Sequence, residues 1–237
     1  VVLTMRTDFL GHCVRFLELP EVINRGQYLT PRLSRAQLAD AIARPAQVFG
    51  GSVEAELVND LINAVAGDPD ELPILQHALA RTWEAARDRN SRTPHVTRED
   101  LAATGGIHGA LSSHADRVLA SLDDGQQLLA EHLFRDITEG GEGPTSGTSR
   151  PQTLDQIGRA ASVDWTKLVP VVEAFAHEGV NFLSFVPPLG ADSKIDIAHE
   201  ALIRQWQYLR GWVASEVERA REYRRWRDRA CDWERGG

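Results

Sequence analysis

Lysine is nearly absent from this chain of 237 residues, which carries Lys167 and Lys194 and draws every other lysine-or-arginine charge from arginine. A P-loop needs a lysine directly after glycine and before Ser or Thr, so that its ammonium reaches the β and γ phosphates. Lys167 follows Thr166 and Lys194 follows Ser193, so neither builds one, and the glycine-rich stretch Gly140-Gly141-Glu142-Gly143-Pro144 has no lysine behind it. Cysteine is as scarce: Cys13 and Cys231, near opposite ends, exclude a zinc site or a disulfide framework and make a reducing, cytoplasmic setting the expectation. No apolar run approaches the roughly 18 residues of a membrane span, so no membrane partner is expected. His199-Glu200 opens like HExxH, but Ile203 stands where the second histidine would be, which excludes a zincin, and there is no GxSxG elbow. His77, His108, His114 and His132 are scattered over helical stretches and read as surface or core positions without a ligand. A net charge of −8 argues against a general polyanion-binding surface. No complete catalytic constellation is left.

What is present is helical periodicity. Length allows one large domain or two small ones, and the start at Val1, without Met or a basic leader, reads as internal to a longer protein. Val1 to Thr4 reads as a buried strand ending at Arg6-Thr7-Asp8. Ser34 caps a helix through Leu38 and Ile42 that Pro45 follows; a second spans about 53–66 with Gly67 as its C-cap; Asp68-Pro69-Asp70 begins a third through Leu72, Leu75, Leu79 and Trp83. Thr97-Arg98-Glu99-Asp100 has the form of a capping box, and helical spacing resumes over 107–122 and 123–138. Residues 139–150, rich in Gly, Ser, Thr and Pro, read as a linker or long loop. Two short helices over 153–161 and 165–178, the second ended by Gly179, precede alternating runs at 181–186 and 193–197 that should pair as a hairpin. The order helix, helix, helix, hairpin is that of a winged-helix module. Beyond Ile197, Leu202, Trp206, Leu209, Val213 and the apolar residues up to Trp233 read as one long helical stripe, and 204–235 carries nine Arg against six acids.

Three segments stand out together: 1–9 (VVLTMRTDF), 70–79 (DELPILQHAL) and 196–206 (DIAHEALIRQW). In this order, and spanning nearly the whole chain, they resemble the STAND signal-transduction NTPases, most of all the bacterial novel-STAND subgroup often found ahead of WD-type repeats. In that family the first segment is the sensor strand after Walker B, whose arginine reads the terminal phosphate; Arg6 matches it. A guanidinium at a strand end can fork onto phosphate oxygens and so tell ATP from ADP. The second resembles the GxP motif of the helical lid, whose proline packs on adenine; Pro73 matches, with Glu71 in place of the glycine. Proline suits a first helical turn because its missing N–H needs no partner there. The third resembles the MHD-type motif, whose histidine contacts the β-phosphate of ADP; His199 matches, with Glu200 in place of Asp. An imidazole at the start of the adjoining helix can donate to an anion there.

The resemblance implies a mostly α fold with a small β component: the end of an NTPase core over 1–31, a helical lid bundle over 32–122, a winged-helix module over 123–200 and a C-terminal helical extension over 201–237. It implies ATP/ADP as the ligand, with magnesium brought by a P-loop segment upstream. Its partners would be that P-loop core and an effector domain, a downstream repeat sensor, and further copies of the chain on activation. The chain would be a switch component inactive alone, whatever the parent hydrolyses. Two other readings stay open. The winged helix could bind DNA, although its recognition helix over 165–178 offers one Lys, no Arg and the acids Glu173 and Glu178; or the chain could be a helical interaction scaffold docking through its arginine- and tryptophan-bearing end.

Overall fold

Apolar residues three and four apart make most of this chain helical, and a computed structural model of it describes residues 2–5, 7–65, 71–140 and 147–236. Among the described residues are 13 helical segments and seven short strands, a mostly α fold with a small β component. The chain divides into two units, Val1–Ser34 and Arg35–Gly237.

The first unit holds a 3-10 helix, Thr7–Arg15, and helix α1, Leu19–Gly26, with a proline in its first turn. The strand expected over 1–4 is not formed: Val2 and Leu3 are 91% and 83% exposed, and no described strand pairs with them. A β-branched apolar run becomes a strand only where a neighbour takes its backbone hydrogen bonds. Arg6 lies outside the described residues.

The second unit opens with α2, Arg35–Val48. Pro45 lies inside this helix rather than after it, close to its C-terminal end, where a missing N–H and a crowded carbonyl disturb only the final turn. A short parallel pair joins β1, Ser52–Val53, to β2, His95–Val96, across α3, Ala55–Val65, and α4, Glu71–Arg89. The expected C-cap at Gly67 and helix start at 68–70 lie outside the described residues. Helix α5, Arg98–Ala103, begins with the expected capping box: Thr97 accepts from the Asp100 N–H and Asp100 accepts from the Thr97 N–H. Buried Leu38, Ile42, Leu57, Leu61, Leu75 and Val96 bind these elements into one core.

A second, larger core gathers α6, Gly106–Ala120, and α7, Asp124–Asp136, with the elements after them. The segment read as a linker over 139–150 is instead structured at both ends, where β3, Thr138–Gly140, pairs antiparallel with β4, Gly147–Ser149. Glycine here serves close packing: a Cβ on Gly140 would stand 2.6 Å from the Val217 side chain. Next come β5, Gln152–Thr153; α8, Leu154–Ala160; a 3-10 turn, Trp165–Leu168; and α9, Val169–Ala176. The expected hairpin forms, β6, Leu183–Ser184, pairing with β7, Lys194–Ile197, and β5 adds a third strand to give the order β5-β7-β6. Ile195 and Ile197 alternate into the core.

The long stripe after Ile197 is broken at Trp206, whose extended backbone (ψ 114°) separates α10, Ala201–Gln205, from α11, Gln207–Gly236. Burial explains the break. Trp206 is fully enclosed, set edge-on to Phe134 (ring centroids 5.0 Å) and Trp212 (5.2 Å), and its Nε1–H donates to Asp116 Oδ1 at 2.8 Å. A straight helix could not seat that ring and still carry α11 back along α7 and β3.

Candidate functional site

Helix α4 separates the two cores of the second unit, sending Leu75 into one and Ile74 into the other. Its flank toward the larger core carries Pro73, Gln76, His77, Ala80 and Arg81, the spacing i, i+3, i+4, i+7, i+8 of a single helical stripe. These five line a cavity of about 170 Å³ that is completed by Leu111 of α6, the turn 179–182, His199 and Leu202.

The turn is shaped for the purpose. Gly179 (φ 87°) and Asn181 (φ 51°) take left-handed conformations that glycine and asparagine reach at least cost. They reverse the chain so that the Phe182 N–H donates to Phe175 O at 2.9 Å and the Phe182 carbonyl accepts from Ala198 N–H at 3.0 Å. Phe182 is thereby held against two stacked imidazoles. The rings of His77 and His114 lie 5.1 Å apart, and Phe182 stands 5.4 Å and 5.2 Å from them. The imidazoles share a hydrogen bond, His114 Nδ1 to His77 Nε2, of 3.2 Å.

Arg81 braces this cluster. Its Nη2 donates to Glu84 Oε1 at 2.7 Å and to the Gly179 carbonyl at 3.1 Å, while Nη1 lies 3.5 Å from His114 Nε2. Burial, with Arg81, His199 and Arg117 nearby, lowers the His77 pKa from 6.5 to about 4. Burial, with Arg81, His77 and Arg117, lowers that of His114 to about 3. Both rings are therefore neutral at pH 7. Not one of the residues lining the cavity is acidic, and Arg81 supplies a fixed positive charge. Apolar walls, neutral ring donors and a guanidinium suit an anionic group carried on an organic body. The volume falls below the 300–1,000 Å³ or so of whole-ligand pockets, so the cavity has room for only one end of such a molecule. Among the described residues no cluster of His, Cys, Asp and Glu could hold a metal ion.

Of the residues singled out from sequence, Pro73 and His199 line this one cavity, Pro73 half-buried in the first turn of α4 and His199 exposed just before α10. Arg6 lies outside the described residues, and Glu71, in the place of the motif glycine, turns to His108 Nδ1 at 3.5 Å. Helix α10 has only five residues, too short for a substantial dipole, so it adds little attraction for an anion beside His199. His77, His114 and Arg81 were missed by sequence reasoning. The spacing from Pro73 could have found His77 and Arg81, since both fall on its stripe; nothing local marks His114.

A family model described as Novel STAND NTPase 1 matches residues 1–237. No curated protein matches the chain, and no solved structure does.

Proposed function

Because the chain belongs to the Novel STAND NTPase 1 family, we propose that it is the lid and winged-helix part of a nucleotide-dependent signalling switch and that the cavity beside α4 receives ADP or ATP. The single observation that carries this reading is that Pro73 and His199, far apart in sequence and matched separately to two nucleotide-facing motifs, line one cavity. In this reading Pro73 offers its flat ring to the base, His199 donates to the β-phosphate and Arg6 reads the terminal phosphate. The bound nucleotide supplies one more or one fewer anionic group, and the chain's residues convert that difference into a preference between a closed and an open arrangement. The phosphate cradle and magnesium come from a P-loop segment that this sequence does not contain.

We read the elements from α7 to β7 as a winged-helix module, supported by their helix, helix, helix, hairpin order and the sheet β5-β7-β6. DNA binding draws no comparable support: α9 carries Glu173 and neither Lys nor Arg, and Val171, Val172 and Phe175 turn into the core.

Calorimetric titration of ADP and ATP into the parent protein carrying its P-loop tests the reading. His199→Ala should weaken ADP by about tenfold, the loss of one hydrogen bond to a charged group, and Arg6→Ala should narrow the difference between ATP and ADP. If neither nucleotide binds the wild-type protein, the chain is a helical scaffold and not a switch.

A further inference from the structure

The tautomers of the stacked imidazoles are set by the chemistry of their neighbours. A guanidinium has donors and no acceptor. Arg81 Nη1 beside His114 Nε2 at 3.5 Å therefore requires an unprotonated Nε2, which puts the single proton of neutral His114 on Nδ1. That Nδ1–H points along the 3.2 Å hydrogen bond to His77 Nε2, so Nε2 of His77 is the acceptor and the proton of neutral His77 sits on its own Nδ1. The result is a directed chain, Arg81 to His114 to His77, in which each bond polarises the next. It ends on an N–H with no hydrogen bond to another described residue and no seal from solvent, since His77 Nδ1 is not among the buried polar atoms left without a partner. His77 lines the cavity.

We propose that His77 is a further ligand-binding residue of this cavity, a neutral donor whose Nδ1–H bonds to a phosphate oxygen of the bound nucleotide, held in that form by Arg81 through His114. The proposal rests on the nucleotide reading above and adds to it a third contact besides Pro73 and His199. The groups acting on His77 are Arg81 from its own helix, itself paired to Glu84, Arg117 and the hydrogen-bonded His114 from α6, and His199 from the segment before α10. These surroundings favour an anion as the acceptor that completes the chain. They also disfavour a second proton on His77, so the ring contributes a directional hydrogen bond rather than a charge.

Long-range proton–nitrogen correlation spectra of the 237-residue chain at pH 7 read the tautomers directly, and titrations of the parent protein carrying its P-loop with ADP and with pyrophosphate read binding. His77 and His114 should both carry their proton on Nδ1 in the free chain, and each anion should shift the His77 Nδ1 resonance. His77→Leu should weaken binding roughly five- to tenfold, whereas His77→Asn, whose amide places a donor where Nδ1 stood, should stay within about twofold of wild type. His114→Phe should keep the ring stack but release His77 into a mixture of tautomers. A His77 protonated on Nε2 in the free chain overturns the proposal, as does a His77→Leu variant that binds ADP as tightly as wild type, an outcome that leaves the nucleotide reading standing. Pyrophosphate bound in a His77-dependent way without ADP binding upholds the donor and removes the nucleotide reading. If neither anion binds, both fall.

Discussion

Acidification should destabilise this protein through the imidazole pair well before most of its carboxylates are neutralised. An imidazole in the unfolded chain titrates near 6.5, whereas His77 and His114 in the fold titrate at about 4 and about 3. Between those values the unfolded chain binds more protons than the folded one, so stability rises with pH across the window. The contribution is complete above about pH 6.5 and is lost as pH falls toward 4. At about 1.4 kcal/mol for each pH unit, the His77 difference alone has a ceiling of ~3 kcal/mol. His77 is half-buried and solvent screens part of that, so about 2 kcal/mol is the expected loss from His77 on going from pH 7 to 4.5, to which the buried His114 adds. For a unit of this size that is a fall in Tm of about 4–8 °C. Thermal unfolding followed by far-ultraviolet circular dichroism at pH 7, 6, 5 and 4.5 measures it, with the double variant His77→Asn, His114→Asn as the comparison that cannot titrate at these positions. The double variant should begin less stable at pH 7 and change less across the window. Equal pH slopes in the two proteins, or a wild type that gains stability as pH falls, would refute the reasoning.

Two further expectations concern the scaffold. Trp206→Phe removes the indole N–H that Asp116 accepts and opens space beside Phe134 and Trp212, so urea unfolding should show a loss of about 2–3 kcal/mol; Asp116→Asn retains an acceptor and should cost less. Asp100 is raised by burial, but the Thr97 backbone N–H, Arg89 (2.6 Å) and the Thr97 hydroxyl outweigh that and hold its carboxyl below the usual value. Asp100→Ala should cost about 2 kcal/mol at pH 7 through loss of the α5 capping box and the Arg89 pair, and the gap to wild type should close as pH falls below about 3.8, through the lowered folded pKa.

Local rules read from the sequence succeeded where the determinant was itself local. The capping box at Thr97, the start of α7 beside Asp123, and the hairpin of β6 and β7 each depend on residues near one another along the chain, and each was legible in the sequence. Pro73 was legible for the same reason, because a proline preceding an apolar helical stripe marks a first turn. Pairing outside that hairpin was not legible. Val1 to Thr4 has the composition of a strand without a described partner, while the polar segment around Gly140 and Gly147 forms strands because each supplies the other's hydrogen bonds. Neither was the break at Trp206, which depends on the space left among Phe134, Phe175 and Trp212 rather than on any helix-stopping residue. The site divides in the same way. Sequence determined that Pro73, His77 and Arg81 share one face of a helix, since helical periodicity fixes that regardless of surroundings. Only the tertiary structure decided that His114, Phe182 and His199 meet that face, because their approach is set by packing between elements distant along the chain, and it is this packing that turns scattered histidines into an ordered chain of donors.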